Sequence, residues 1–142
     1  MTGFLIDTNV LSEYNRPEGE PNVGVRRWLE KTPRDLQYVS VITLAEIQKG
    51  IGVLDKGRRR DQLQRWLSTD LEEWFAGRIL PIDRRVAGRW AVLLVDCSAK
   101  GRPLPTIDSL LAATALAYDL TIVTRNAKDF EGISLTILNP WV

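Results

Sequence analysis

Three acidic residues, far apart in the chain, stand where a predicted strand runs into a helix or where a predicted helix begins. Asp7 follows a short apolar run, Glu46 lies just after a strand-like segment, and Asp108 opens a helix rich in alanine and leucine. In an open α/β sheet the carboxyl ends of the strands share one edge, so we expect these side chains to gather in one crevice. Clustered carboxylates repel one another unless a cation neutralises them, and a hard ion such as Mg²⁺ takes oxygen ligands. The pattern therefore predicts a Mg²⁺-dependent enzyme that acts on phosphates.

Histidine is absent from the 142 residues, and cysteine occurs once. The absence of histidine excludes an imidazole base, Ser-His-Asp and Cys-His triads, and His-ligated zinc. Cys97 has no partner for an internal disulfide, and its helical spacing from apolar neighbours predicts a buried thiol. No leader-like segment opens the chain, and no apolar run approaches the roughly 18 residues that a membrane span needs. We expect a cytoplasmic protein that does not enter membranes.

The length and the order of elements predict one α/β domain over residues 1–142. Strands alternate with helices, a pattern typical of a mainly parallel sheet covered by helices on both faces. The predicted strands lie at 4–7, which is short and buried, and at 37–41, 121–124 and 135–138. Residues 79–83 are typical of a strand that gives way to a turn. The helical stretches centre on 10–11, 25–29, 44–54, 63–75, 86–97 and 106–118.

Each acid also has a purely structural interpretation. Asp7 suits an N-cap, Glu46 fits a capping box that begins at Thr43, and a charge at Asp108 complements the dipole of its helix. Their joint placement favours the chemical interpretation. So does Gly50, which lies four residues after Glu46 and leaves the neighbouring turn sterically open.

Four segments and the chain ending resemble those of PIN-domain proteins, in particular the VapC and FitB branch of prokaryotic toxin–antitoxin systems. They are LIDTNV (5–10), SVITLAE (40–46), DSLLAATA (108–115), TRNAKDF (124–130) and the ending LNPW (138–141). The resemblance spans essentially the whole chain, in order and at suitable spacing. It implies a PIN-like fold and a Mg²⁺- or Mn²⁺-dependent endoribonuclease toxin, usually a homodimer, which a cognate VapB-like antitoxin holds inactive.

Carried over by position, the resemblance makes Asp7, Glu46 and Asp108 metal-binding catalytic acids. The position of the fourth acid differs between members of the family. Some members have Asp where this chain has Asn126, while others rely on the acid three residues later, here Asp129. We include Asp129 in the predicted site, and we leave open whether one or two ions bind.

The chemistry of phosphodiester hydrolysis agrees with this assignment. Carboxylate-bound Mg²⁺ lowers the pKa of a bound water and clamps the phosphate, and no histidine is needed. We assign Asp7 and Asp108 as direct ligands, and Glu46 as a ligand or as the group that orients the attacking water. Around them we predict a supporting set of polar side chains, for which capping is the structural alternative: Thr8, Asn9, Thr124 and Asn126.

Basic and aromatic residues offer a weaker signal for RNA contact. The basic run 56–60 could touch phosphates, although such runs more often form solvated loops. Further basic candidates are Arg84, Arg85, Arg89, Lys100 and Arg102. Three tryptophans in helical apolar stripes are expected in the core or at a subunit contact rather than under stacked bases: Trp28, Trp66 and Trp74.

The main alternative is a non-catalytic nucleic-acid-binding module whose acids only cap helices. A haloacid-dehalogenase-like phosphatase would need a second Asp two residues after Asp7, where this chain has Asn9. A response-regulator receiver would need an acidic pair near the N-terminus, and Asp7 stands alone there.

Overall fold

The protein forms a five-stranded parallel sheet with helices on both faces, which confirms the predicted fold class. A computed structural model describes residues 2–142. The strands run in the order β3-β2-β1-β4-β5, so the first strand is central, and every neighbouring pair is parallel. They are β1 (Phe4–Ile6), β2 (Gln37–Ser40), β3 (Ile79–Leu80), β4 (Thr121–Val123) and β5 (Ile137–Leu138).

Helices connect these short strands. They are α1 (Thr8–Tyr14), α2 (Val23–Lys31), α3 (Val41–Gly52), α4 (Arg58–Arg65), α5 (Glu72–Trp74), α6 (Arg84–Ala99) and α7 (Thr106–Tyr118). Two short 3₁₀ segments, Arg34–Leu36 and Ala127–Phe130, precede β2 and follow β4. A π-helical segment, Trp66–Leu71, joins α4 to α5 without a break. The sequence pattern predicts one amphipathic helix over 63–75 and gives no sign of the π-helical segment.

Strand β1 is buried on both faces, as expected for the central strand of a parallel sheet. Successive side chains of a strand point to opposite faces. Accordingly Ile6 packs in the hydrophobic cluster of α1 to α5, while Leu5 packs in the cluster of α6 and α7. Both side chains are at most 1% exposed. The sheet therefore has two hydrophobic layers, and its central strand is rigidly held.

Several predicted boundaries shift by one or more residues. Strand β2 ends at Ser40 rather than 41, because the Ser40 hydroxyl accepts the Ile42 N–H at 3.0 Å and starts the helix at Val41. The capping-box interpretation of Thr43 and Glu46 is therefore wrong. Strand β1 ends at 6 rather than 7, because Asp7 caps α1. Strand β4 ends at 123 rather than 124, and the last strand is shorter than predicted.

A buried glutamine joins α2, β2 and α5. The amide nitrogen of Gln37 donates to the carbonyls of Leu29 and Thr32 at 3.1 and 2.9 Å. Its amide oxygen accepts the indole N–H of Trp74 at 2.9 Å. Both ends of this fully buried side chain are thus satisfied, which removes the cost of burying it.

The beginning of α7, which carries Asp108, is fixed by α6. The indole N–H of Trp90 donates to the Ser109 hydroxyl at 2.9 Å. At the other end of the helix pair, the Tyr118 hydroxyl donates to Asp83, the N-cap residue of α6. Asp108 therefore projects from a helix that is anchored at both ends.

The predicted burial of Cys97 and Trp74 is confirmed, with 8% and 7% of each residue exposed. Trp28 and Trp66 are half-buried against the same hydrophobic cluster as Trp74. Within residues 2–142, no helix has both the length and the apolar composition required to span a bilayer.

Candidate active site

All four predicted acids lie at the carboxyl edge of the sheet. Asp7 directly follows β1 and is the N-cap residue of α1. Glu46 lies in α3, which follows β2, and occupies its second turn rather than the first because the helix begins at Val41. Asp108 lies in the first turn of α7, and Asp129 lies in the 3₁₀ segment after β4. Parallel strands bring Asp7, Glu46 and Asp129 to this edge, and Asp108 reaches it because α7 begins there and runs back to the amino end of β4.

Asp7 is the most deeply buried of the acids, with 7% of the residue exposed. Its Oδ1 accepts the backbone N–H of Thr8 at 2.7 Å, and its Oδ2 accepts the hydroxyl of Thr124 at 2.8 Å. The capping role of Asp7 is therefore real, but it involves one oxygen only. The hydrogen bond to Thr124 connects the end of β1 with the end of β4. An N-cap residue does not need this bond.

A second hydrogen bond links Glu46 to α1. The Thr8 hydroxyl donates to Glu46 Oε1 at 2.6 Å, over 38 positions of sequence. This bond fixes the carboxylate of α3 next to the start of α1, one residue from Asp7. The neighbouring turn is open as predicted, since a methyl group added at Gly50 would meet no atom within 4 Å.

Asn9 connects Asp7 to the loop after β4. Its amide nitrogen lies 3.1 Å from the Thr124 hydroxyl and 3.4 Å from Asp7 Oδ2. Its amide oxygen accepts the backbone N–H of Arg125 at 3.2 Å. The Thr124 hydroxyl also accepts the backbone N–H of Asn126 at 3.1 Å. These bonds orient Asp7 and hold the loop against it.

The predicted supporting residues thus differ in what they contribute. The side chains of Thr8, Asn9 and Thr124 contact the acids directly. Asn126 contributes its backbone N–H and stands at the N-cap position of the 3₁₀ segment, so that position does not belong to Asp129. Phe130 is 2% exposed, as predicted for a residue that packs inward.

The acids are close enough for their charges to contribute to raised pKa values of two of them, Asp7 and Asp108. Burial raises the pKa of Asp7 above its ordinary value against the hydrogen bonds from Thr124 and Thr8, and the charges of Glu46 and Asp129 add to the rise. Burial also raises the pKa of Asp108, and there the largest charge contribution comes from Asp129, followed by Asp7 and Glu46. The four carboxylates therefore lie close enough for their negative charges to interact.

Within residues 2–142, the ion pairs lie elsewhere and leave the negative charge of this cluster uncompensated. They join Arg16 to Glu13, Arg26 to Glu20 and Arg102 to Glu131. Like charges that share a site raise the free energy of the folded state until a cation or protons neutralise them. The arrangement is suited to attracting a cation.

The geometry suits a cation that keeps much of its water. In the described part of the chain, no three His, Cys, Asp or Glu side chains converge closely enough to form a ready-made coordination shell. Mg²⁺ is commonly held by one or two carboxylates, with waters and substrate phosphate completing its octahedron, rather than by an all-protein cage. Because the available donors are all hard oxygens and no cationic side chain compensates them, the residues fit such an ion.

A groove leads away from the acids between α1, α3 and α4. Its volume is about 240 Å³, and its lining includes Thr8, Glu46, Arg59 and Trp66. Arg59 is fixed there by a 3.0 Å bond from Nη2 to the carbonyl of Asn15. The sequence identifies the basic run but not this particular arginine, because only the packing of α4 on α1 distinguishes it.

The comparisons with known proteins agree with this architecture. The PIN domain family model matches residues 4–134. The chain is 39% identical to the plasmid stability protein StbB of Pseudomonas syringae over 97% of this chain and 98% of that protein. It is 36% identical to toxin FitB of Neisseria gonorrhoeae, again over 97% and 98%. With the VapC ribonuclease Y4jK of Sinorhizobium fredii it shares 34% identity over 97% of each chain.

The solved structures extend the likeness to three dimensions. The crystal structure of FitAcB from Neisseria gonorrhoeae superposes with a TM-score of 0.90 at 36% identity, covering 97% of this chain and 98% of that one. A structure of FitAB bound to a DNA fragment gives the same TM-score at 34% identity, covering 98% and 96%. Family model, relatives and fold agree: the chain belongs to the PIN-domain family, in the group that includes FitB and VapC proteins.

Proposed function

We propose that the protein is a divalent-metal-dependent endoribonuclease that hydrolyses RNA phosphodiester bonds. The observation that carries the proposal is the gathering of four carboxylates at one sheet edge, where the pKa of Asp7 and that of Asp108 are raised and no ion pair of residues 2–142 involves these acids. The VapC relatives, whose names describe them as ribonucleases, support RNA as the substrate class.

Mg²⁺ is the ion that we propose, with Mn²⁺ as a substitute. When bound, it would supply charge neutralisation at the phosphate and a water of lowered pKa. Asp7 and Asp108 would hold the ion, with Asp129 adding charge from the exposed rim of the site. The charges of Asp129, Asp7 and Glu46, which all act on Asp108, support this assignment.

The polar side chains around the acids would keep the site in one geometry. The Thr124 hydroxyl holds Oδ2 of Asp7, and the Thr8 amide holds Oδ1, so this carboxylate cannot rotate freely. The Thr8 hydroxyl fixes Oε1 of Glu46 and leaves Oε2 to orient, or to take a proton from, an attacking water. The outer hydrogen bonds thereby preorganise the acids before RNA arrives.

We propose further that the protein is the toxin of a toxin–antitoxin pair, acts in the cytoplasm and is inhibited by a small VapB-like antitoxin. The solved relatives include FitAB and VapBC complexes, which supports a protein partner of this kind. The groove beside Glu46 combines apolar walls with Arg59 and has the form that an inserted peptide segment would fill.

Expression of the chain alone should arrest growth, and co-expression of the adjacent small open reading frame should restore it. Harmless expression of an active enzyme would contradict the toxin role only.

A homodimer is part of the same proposal. Apolar side chains are exposed around the outer face of α3 and the start of α7: Val41, Val53, Leu54 and Ile107. Val53 and Ile107 line one groove beside Glu46, and a second copy of the chain would cover this apolar surface.

The role of the fourth acid can be tested by metal titration. Purified protein should cleave single-stranded RNA with Mg²⁺ and stop when a chelator is added. The Asp129→Asn variant should need more Mg²⁺ for half-maximal cleavage and should recover much of its rate at high Mg²⁺, because it removes a charge that attracts the ion. An unchanged titration with a lowered melting temperature would make Asp129 a structural residue only.

A further inference from the structure

Arg125 lies beside the acids without pairing with them. Its backbone N–H donates to Asn9, whose side chain contacts Asp7 and Thr124, so the residue is fixed to the wall of the site. Its side chain is exposed and takes no part in the ion pairs of residues 2–142. Its charge therefore forms no ion pair with the acids and stays available to an incoming anion.

Trp141 limits the positions that this arginine can adopt. The guanidinium carbon of Arg125 lies 5.3 Å from the centroid of the Trp141 ring, within the range of a cation–π contact. The tail that carries the ring is itself held, since the Asn22 amide donates to the carbonyl of Val142 and accepts its N–H, at 2.9 and 3.2 Å. An arginine supported on one face keeps its N–H groups in a defined plane, which lowers the entropy lost when they bind a phosphate.

We infer that Arg125 binds a phosphate of the RNA strand next to the bond that is cleaved, and that Trp141 holds the guanidinium in place for this contact. The inference rests on the proposed RNA substrate and adds the residue that positions it. Its physical basis is a division of charge: the acids need a cation before they tolerate a phosphate, whereas Arg125 attracts the neighbouring phosphate directly. The RNA strand would thus be held at two points, by the cation at the acids and by Arg125. The two contacts together would fix the position of the RNA relative to the acids.

The chain offers a matched control at the opposite edge of the sheet. Arg34 lies over the ring of Trp74, with the guanidinium carbon 4.2 Å from its centroid. Arg34 precedes β2, at the amino ends of the strands, far from the acids in the topology of the sheet. Replacing Arg34 removes the same charge and the same kind of aromatic contact, but it should change neither the binding nor the cleavage of RNA.

The experiment compares Arg125→Gln with Arg34→Gln, using a labelled single-stranded RNA. For Arg125→Gln we expect KM to rise about tenfold, as the loss of one charge-assisted contact predicts, with kcat nearly unchanged. The slope of log Kd against log salt, measured with chelator present, should become shallower by about 0.7. Arg125→Lys should recover part of the loss, Trp141→Ala should raise KM in the same direction, and Arg34→Gln should match the wild type.

The outcomes separate this inference from the proposed function. If the wild type cleaves RNA and Arg125→Gln retains its KM and salt slope, the inference is wrong and the nuclease assignment stands. A variant that only melts at a lower temperature, with KM unchanged, also overturns it. If the wild type binds RNA without cleaving it, and the salt slope still depends on Arg125, the contact is supported and the nuclease assignment fails. A wild type that neither binds nor cleaves RNA contradicts both.

Discussion

Asp7→Asn and Asp108→Asn are each expected to lower the rate of RNA cleavage by at least ~10²-fold, because a site built on a fixed cation loses much of its electrostatic stabilisation when a ligand loses its charge. Asparagine preserves the shape of each side chain. At Asp7 it can still accept the capping bond from Thr8, so the fold should survive. The measurement is the initial cleavage rate at fixed Mg²⁺, with circular dichroism to verify folding.

The control for this experiment is Asp35→Asn. Asp35 is an exposed acid in the 3₁₀ segment before β2, at the amino edge of the sheet. Preparing it in parallel also shows whether a contaminating nuclease is responsible for the activity. Undiminished cleavage by both site variants would remove Asp7 and Asp108 from the mechanism.

Gly24→Ala is expected to lower the free energy of unfolding by about 1–3 kcal/mol, as is typical of overpacking. A methyl group at Gly24 would lie 2.2 Å from the carbonyl oxygen of Pro140 and 3.0 Å from both γ-carbons of Val142. Backbone cannot yield as a flexible side chain does, so the C-terminal segment must leave α2. That movement would break the hydrogen bonds between Asn22 and Val142.

Gly88→Ala is the matched control for this substitution. Gly88 lies inside α6, and a methyl group there meets nothing within 4 Å. The change should raise the free energy of unfolding by about 0.5–1 kcal/mol, because alanine loses less conformational freedom than glycine in a helix. Urea unfolding midpoints test both variants. Equal effects of the two substitutions would contradict the close approach of the tail to α2.

The sequence predicts the positions of the acids well because one simple rule governs them. Parallel strands end at a common edge, so Asp7 and Glu46, which follow strands, could be placed in one crevice without any knowledge of distances. Asp108 joins them because it opens a helix that leads back to the amino end of the next strand. The continuous apolar run of β1 and the helical stripe that carries Trp74 are local patterns, and they predict the burial of both. The burial of Cys97 follows from the same periodicity.

Features that depend on two distant segments were not predictable in the same way. The capping box at Thr43 is a good local match, but Ser40 starts the helix one turn earlier and leaves Glu46 free to accept the Thr8 hydroxyl. That bond spans 38 positions of sequence. The stacking of Arg125 on Trp141 likewise requires the C-terminal tail to reach the loop after β4. No single stretch of sequence encodes these contacts.

The burial of Asp108, together with the charges of the neighbouring acids, has a measurable consequence in the metal-free protein. Because the pKa of Asp108 is raised in the folded state, its ionised form destabilises the fold above that pKa, and this penalty is relieved as the pH falls through it. Asp108→Asn removes the penalty at neutral pH. The variant should therefore melt no lower than the wild type when no divalent cation is present.

The most direct test of the acidic site is the melting temperature of the metal-free protein, measured with and without Mg²⁺ at constant ionic strength. A cation that binds only the folded state stabilises it, by about 1.4 kcal/mol at ten times its Kd. We predict that Mg²⁺ raises the melting temperature of the wild type and of Asp35→Asn, and that Asp108→Asn loses most of this increase. An equal increase in all three proteins, or no increase in the wild type, would contradict a cation site formed by these acids.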